Sequence, residues 1–444
     1  MNRPLADNGS MPTTSSANAH LNTLKTFRQT VYESGLGQAR DALFELGDAV
    51  LLTPRANSFA EFSLQPSFRR GWPMLYESLQ DGVLHRTTLL DLYTAQIPRT
   101  VRPMFAGDHT AWSRLHARTL RDRTIEHQPN AIPQAKPITV GQGYSTIAWL
   151  PDVPGSWALP CLHERIAPTE NPIGKAVTQL RQVCQRLPQR AIALFDAEYG
   201  CAPFVNQSAD IPCDKIVRLR PNLCLRGTPP PYVGPGRPSV HGAKFKLSEA
   251  TTWDKPSESL TVTDEALGQV RISVWQGKHL VKAPSHPFLV LRIERLEAKG
   301  TRRDPKDLWL AWLGEPPPPL SKWWRSYLRR YGIDHWYRFA KQNLHWTLPQ
   351  LKTPEQSERW SDLMPVLTWE LWLAREVVVD KPLPWQKAQT LLTPGRVRQS
   401  FGSVLAQIGT PTRAPKPRGK SKGWPKGKVR QRAERHPIIK KSRK

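Results

Sequence analysis

A short stretch near position 330 concentrates polar side chains on one side of a predicted helix. Read at about 100° per residue, five of them fall within an arc of roughly 80°: Tyr327, Arg330, Asp334, Arg338 and Lys341. Apolar residues fill the opposite arc, so the helix can pack on a sheet. A carboxylate among cations suits a metal ion beside phosphates, whereas a solvated face with i,i+4 charge pairs is the plain alternative.

Two further acids each stand at the end of a strand-like run. Asp108 ends the run from 101, and Asp196 follows the apolar run 191–195, which is typical of a strand buried on both faces. Alone, Asp108 fits a turn cap, Asp196 a helix N-cap and Asp334 a surface ion pair. Three converging carboxylates would repel each other unless a metal neutralised them, so their convergence predicts a metal site.

The elements around these acids favour an antiparallel meander, a crossover helix and a parallel central strand. Strands are predicted at 101–108, 137–150 and 156–166, followed by a helix with Asn171 as N-cap and by the strand at 191–195. This order is the opening of an RNase H-like fold of the α/β class. The first and fourth strands are neighbours in that fold, so Asp108 and Asp196 would lie side by side.

Composition divides the rest of the chain. Short β-like runs separated by Gly and Pro predict an insertion, and a final segment with fourteen Lys or Arg against Glu434 alone predicts a disordered basic tail. The predicted segments are a disordered lead (1–20), a helical N-terminal domain (21–98), the first part of the RNase H-like core (99–201), a β-rich insertion (202–315), the second part of the core with the catalytic helix (316–410) and the basic tail (411–444).

The charge balance points to a polyanionic partner. Lys and Arg number 64 against 37 Asp and Glu, a net charge of +27, and nucleic acid is the commonest such partner. The tail interleaves its cations with Gly and Trp424, which fits nucleic acid better than a membrane. No apolar run approaches the ~20 residues needed to span a bilayer, and residues 1–19 lack the apolar core of a signal peptide. Five scattered Cys without a Cys-x2-Cys pair argue against a zinc site and suit a reducing cytoplasm.

Three blocks of the chain resemble the catalytic blocks of bacterial insertion-sequence transposases of the DDE superfamily. The third block follows that family's Y-x2-R-x3-E-x6-K motif with the spacing Tyr327-x2-Arg330-x3-Asp334-x6-Lys341. The first and second blocks are similar to Asp108-His-Thr-Ala-Trp112 and Phe195-Asp196-Ala-Glu-Tyr-Gly200. The resemblance covers about residues 100–345. It departs from the family at Asp334, where the family usually has Glu, one methylene longer.

The resemblance implies a Mg²⁺-dependent DNA transposase, which hydrolyses a strand at the element end and uses the freed 3′-OH to attack target DNA. Asp108, Asp196 and Asp334 would be catalytic and would hold two Mg²⁺ ions, for which Mn²⁺ can substitute. The expected DNA-binding residues are Tyr327, Arg330, Arg338 and Lys341. The expected partners are double-stranded DNA, at terminal inverted repeats and at the target, and a second copy in a homodimer on DNA. No membrane partner is expected.

Two alternatives stay open on the sequence. A decayed or domesticated transposase would keep its DNA affinity without cutting. Another RNase H-like nuclease would cut a different nucleic acid with the same acids. Both alternatives share the predicted fold, so only the behaviour of the site separates them.

Overall fold

The computed structural model describes residues 14–128, 137–153, 155–265, 267–297, 306–317, 319–417, 423, 425–429 and 431–441. The chain divides into two compact units. We call the first the helical unit; it takes residues 1–92, 154–156 and 338–434. We call the second the sheet unit; it takes residues 93–153, 157–337 and 435–444.

The described part of the chain combines ten α-helices with one large mixed sheet, so the predicted α/β class is confirmed. The described residues form ten α-helices: α1 (Thr14–Thr30), α2 (Arg40–Leu52), α3 (Pro73–Asp81), α4 (Arg86–Ala95), α5 (Pro172–Cys184), α6 (Ala202–Ser208), α7 (Leu320–Leu328), α8 (Tyr331–Gln342), α9 (Pro354–Ala374) and α10 (Pro394–Ile408). Helix α1 begins inside the predicted disordered lead, of which 1–13 lie outside the described residues. None of the described helices combines the length and apolarity needed to cross a membrane.

The helical unit is held together around a buried ion cluster. Arg28 of α1 donates to Asp48 of α2 at 2.8 Å and also to Glu370 of α9, and all three side chains are almost fully buried. Burial raises the pKa of Glu370 to about 7, although Arg28 opposes the shift. Helix α9 begins in a capping box formed by Thr353 and Gln356, which satisfies its first free N–H groups.

The sheet unit is built on one twelve-stranded sheet, counted over the described residues. Its strands are β1 (Met104–Ser113), β2 (Thr124–His127), β3 (Ile138–Trp149), β4 (Leu159–Ile166), β5 (Ala191–Phe195), β6 (Cys213–Arg218), β7 (Cys224–Arg226), β8 (Lys244–Lys246), β9 (Glu258–Asp264), β10 (Gly268–Leu280), β11 (Ala283–Arg295) and β12 (Leu308–Leu313).

The first part of this sheet has the predicted order of elements. Strand β3 pairs antiparallel with β1 and β4, and β1 pairs parallel with β5. Helix α5 lies between β4 and β5 in sequence, and its N-cap Asn171 accepts a hydrogen bond from the Gly174 N–H at 2.8 Å, as predicted. The short strand β2, which pairs with β3, was not predicted.

The strands predicted for the β-rich insertion continue the same sheet. Strand β6 pairs parallel with β5 after the crossover helix α6, so it lies beside the central strands. Beyond β6 follow β12, β11 and β10 in antiparallel pairs. A buried core on this part of the sheet brings Trp275 of β10 and Trp309 of β12 into aromatic contact with each other, and Trp275 also contacts Phe245 of β8, so packing accounts for these two tryptophans.

The far end of the predicted tail contacts the sheet unit. His436 N–H donates to the Arg118 carbonyl, and Ile439 pairs with Thr124 at the edge of β2. The Lys441 ammonium lies 2.8 Å from the buried Glu126 carboxylate. Residues 418–422, 424 and 430 of the basic stretch, including Trp424, lie outside the described residues. The described remainder of the tail contains no helix.

Candidate active site

The pairing of β1 with β5 brings two of the predicted acids to the same level of the sheet. Gly107 lies beside Phe195 in the parallel register, and Asp108 and Asp196 are the next residue of each chain segment. A Cβ at Gly107 would lie 2.0 Å from the Phe195 ring, so the absence of a side chain at Gly107 makes room for this ring. The predicted neighbourhood of the two strands is therefore confirmed.

The predicted helix from 327 to 341 is wrong in one respect, because the chain forms two helices there. Helix α7 ends at Leu328 and α8 begins at Tyr331, with tight i→i−3 hydrogen bonds between. The Arg329 guanidinium donates to the Leu150 and Pro151 carbonyls at 3.0 and 2.6 Å. These contacts hold the break against the end of β3.

Arg330 lies at this break and connects two of the acids. Its guanidinium nitrogens lie 3.4 Å from Asp108 Oδ2 and 3.2 Å from Asp334 Oδ2. The residue is buried, at 7% exposure, whereas Asp334 is exposed. Burial opposes the charge, but Tyr327 and the two acids outweigh it and raise the pKa of Arg330. The third acid is thus tied to the first through one arginine.

Asp108 has the most strongly perturbed carboxylate of the site. Burial and then the repulsion of Asp196 raise its pKa to about 7; Arg330 opposes this and Asp334 adds to it. Its Oδ1 also accepts a hydrogen bond from the His109 N–H at 2.8 Å. A nearby cation would stabilise the ionised form of such a carboxyl group.

Asp196 and Tyr327 complete the group. The Asp196 Oδ1 accepts the Glu198 N–H at 2.9 Å, which holds the acid in a turn after β5. Tyr327 is buried beside Arg330, and burial raises the pKa of its hydroxyl to about 12. The charge of Asp196 acts on both Asp108 and Tyr327, so these groups share one electrostatic site.

Two of the predicted DNA-binding residues lie in the half of α8 that belongs to the helical unit. Arg338 is exposed. Lys341 is half-buried, its ammonium lies 5.8 Å from the centre of the Trp346 ring, and burial lowers its pKa. Their predicted contact with DNA stays a prediction.

Sequence reasoning missed a buried polar chain beside the acids. Tyr337 contacts the Asp108 carbonyl oxygen and Thr146, and Thr146 contacts His163. The available signals were the place of Tyr337 at the edge of the polar arc and Thr146, one of several hydroxyl-bearing residues in β3. Neither signal names its partner, because the three residues come from α8, β3 and β4.

The donor set of the site fits a hard divalent cation in its chemistry. Its acids are carboxylates, which Mg²⁺ prefers, and burial together with repulsion by the other acids raises the pKa of Asp108. Within the described chain, no group of three or more His, Cys, Asp or Glu side chains is arranged so that it could hold a metal ion. In the arrangement described, the Arg330 guanidinium supplies the positive charge between Asp108 and Asp334.

A sequence model described as DDE superfamily endonuclease matches residues 31–279, more than half of the chain. The chain belongs to the DDE superfamily endonucleases. The predicted membership in this superfamily is thereby confirmed. The matched residues of this DDE superfamily endonuclease include Asp108 and Asp196 and end before Asp334. Membership indicates an enzyme with nuclease or transposase-type activity on DNA, and endonucleases of this superfamily typically use divalent metal ions. A comparison with curated proteins found no match.

Proposed function

We propose that this endonuclease is a DNA transposase that cuts a strand at the end of a mobile element and joins the freed 3′-OH to target DNA. The proposal is supported by Asp108 and Asp196, which follow neighbouring positions of the paired strands β1 and β5, and by Arg330, which lies 3.4 Å from Asp108 and 3.2 Å from Asp334. The inferred RNase H-like fold of the sheet unit is supported by the strand order β4–β3–β1–β5–β6 with α5 as a crossover.

In this proposal the three acids hold two Mg²⁺ ions, for which Mn²⁺ can substitute. Bound divalent ions supply an activated water and a polarised scissile phosphate. Asp108, with its pKa raised to about 7, is only partly ionised at neutral pH, so binding a cation there releases a proton. Asp334 lies at an exposed position on α8 and now pairs with Arg330 at 3.2 Å, a partner that it would exchange for the cation.

Arg330, Tyr327, Arg338 and Lys341 would hold the DNA backbone near the cut. Arg330 suits this role because a guanidinium has five N–H donors and binds phosphate oxygens in pairs. Its Nε is buried and has no hydrogen-bond partner among the described residues. The Arg330 nitrogens that face Asp108 and Asp334 would turn to a phosphate when these two acids hold a cation.

We infer that the substrate is double-stranded DNA, at the terminal inverted repeats and at the target. The net charge of +27 supports a polyanionic partner, and the basic tail would add phosphate contacts that do not read sequence. We also infer a homodimer on DNA, since joining two element ends needs two sites, and a cytoplasmic location.

The test incubates the full chain with Mg²⁺ and duplex DNA that carries the element's terminal inverted repeats. Cutting at the repeat ends should be lost in Asp108→Ala and Asp196→Ala, while a gel shift shows that these variants still bind. Asp210→Ala removes an exposed acid that pairs with Arg181 and should cut normally. Binding without cutting in Mg²⁺ or Mn²⁺ would overturn the proposal in favour of a DNA-binding protein. Cutting of RNA–DNA hybrids without regard to the repeats would overturn it in favour of another nuclease.

A further inference from the structure

Tyr337 ties the helix of the third acid to the strand of the first. It lies three residues after Asp334 in α8 and is buried. Its hydroxyl oxygen lies 2.9 Å from the Asp108 carbonyl oxygen and 2.9 Å from Thr146 Oγ1. Thr146 lies directly opposite Asp108 in the β1–β3 pair. One phenol therefore contacts both strands at the level of the acid.

His163 extends this chain to the next strand. Its Nδ1 lies 2.8 Å from Thr146 Oγ1, and its ring is buried. The ring stacks on Tyr144 with 5.1 Å between centres and meets the edge of Trp336 at 5.0 Å. Because Trp336 precedes Tyr337 in α8, the imidazole is fixed by the same helix that it helps to hold.

The chemistry of the groups determines the direction of the hydrogen bonds. A carbonyl oxygen can only accept, so Tyr337 donates to Asp108. The phenol has a single proton, so the Thr146 hydroxyl must donate to Tyr337, and Thr146 must in turn accept from His163. If Tyr337 donated its proton to Thr146 instead, the Tyr337 hydroxyl oxygen and the Asp108 carbonyl oxygen would lie 2.9 Å apart with no proton between them. The chain thus requires His163 to carry its proton on Nδ1.

We propose that Tyr337, Thr146 and His163 are positioning residues, which set where Asp334 and Arg330 stand relative to Asp108. Their effect on catalysis rests on the function proposed above, whereas the hydrogen-bond order does not. Asp334 lies about one helical turn from Tyr337, so a shift of α8 on the sheet moves the acid with it. A displacement near 1 Å in such a site costs on the order of 100-fold in rate.

The first experiment compares Tyr337→Phe with the full-length wild type. Mn²⁺ binding is followed by electron paramagnetic resonance, and strand cleavage by steady-state kinetics on repeat DNA. Loss of the phenol should raise the Mn²⁺ concentration for half-saturation by about tenfold. It should lower kcat by roughly 10- to 100-fold and leave KM for DNA within about twofold. Tyr32→Phe is the matched control, since this buried phenol donates to Asp41 at 2.6 Å in the helical unit.

The second experiment reads the proton on His163 directly. In ¹⁵N-histidine spectra, with the His163 signals assigned by their loss in His163→Asn, the wild type should show the Nδ1–H tautomer. Thr146→Val should disturb this signal and the Mn²⁺ affinity, and Thr146→Ser, which keeps the hydroxyl, should restore both.

An Nε2–H tautomer in the wild type would overturn the proposal. So would a Tyr337→Phe variant that matches Tyr32→Phe in metal affinity and kcat. A wild type that neither binds Mn²⁺ nor cuts DNA would refute the proposed function instead, and the tautomer would still decide the hydrogen-bond chain.

Discussion

Replacing Asp108 with Asn removes one ionisable group and nearly keeps the shape of the side chain. Burial and the neighbouring acids raise the pKa of Asp108 from 3.8 to about 7 in the folded protein. Between these values the folded state keeps a proton that the unfolded chain has released. The stability from this group is therefore fully present below pH 3.8, declines as the pH rises and is lost above about 7.

The size of the effect follows from the two pKa values. They differ by about 3 units, each worth about 1.4 kcal/mol, so the complete loss is about 4 kcal/mol. About 3 kcal/mol of it falls between roughly pH 5 and pH 8. The Asp108 side chain is only 14% exposed, so solvent screens little of it. Between roughly pH 5 and pH 8, the free energy of unfolding of Asp108→Asn should therefore rise by about 3 kcal/mol relative to that of the wild type.

The assay is urea denaturation of both proteins across this pH range without divalent ions. Asp214→Asn is the control, because this acid is also buried but has the opposite shift. Burial opposes its ionisation, yet hydrogen bonds from Arg190 and Arg102 outweigh burial and lower the pKa of Asp214. The free energy of unfolding of Asp214→Asn minus that of the wild type should stay constant over this pH range, whereas the same difference for Asp108→Asn should rise. A difference for Asp108→Asn that does not change with pH would contradict the raised pKa of Asp108 in the folded protein.

Three further predictions follow from other parts of the chain. Asp334→Glu should leave the cleavage rate unchanged or raise it in a kinetic assay, because Glu offers the same oxygens one methylene further out; a collapse would mean that the backbone suits the shorter acid. Replacing Lys426 and Lys428 with Gln should lower the slope of log K against log salt for DNA binding by up to about 2, and an unchanged slope would count against tail–phosphate contacts. Arg28→Met leaves the buried carboxylates of Asp48 and Glu370 without their cation, and it should destabilise the helical unit by about 3–5 kcal/mol in urea denaturation. The helix-cap variant Asn171→Ala should cost the sheet unit only about 1 kcal/mol. Equal losses would contradict the buried cluster.

The central strands were predictable because their local pattern matches their environment. The run 191–195 is apolar throughout, and β5 is buried along its whole length. Strand β1 continues five residues past its predicted end at 108, because its last residues pair with β3. Strand β6 resembles any short β run, and only the parallel partner β5 reveals its place. Such pairings depend on distant partners, which local patterns do not contain.

The acids could be found from sequence because they stand at strand ends and in a spaced motif. The break at Arg329 and Arg330 could not, since the helical period continues across it. Arg330 pairs with Asp108, which comes from β1. Tyr337 owes its place to Thr146, on a strand far away in the sequence. In each case the local sequence does not show which distant residue becomes the neighbour in the folded protein.

The position of a bound metal on the chain decides whether these three acids hold it. Fe²⁺ replaces Mg²⁺ in the full-length protein, and ascorbate with peroxide generates hydroxyl radicals that cut the backbone beside the bound ion. We expect cuts near Asp108, Asp196 and Asp334, all suppressed by excess Mg²⁺. Cuts confined to other parts of the chain, or cuts that excess Mg²⁺ leaves unchanged, would contradict it.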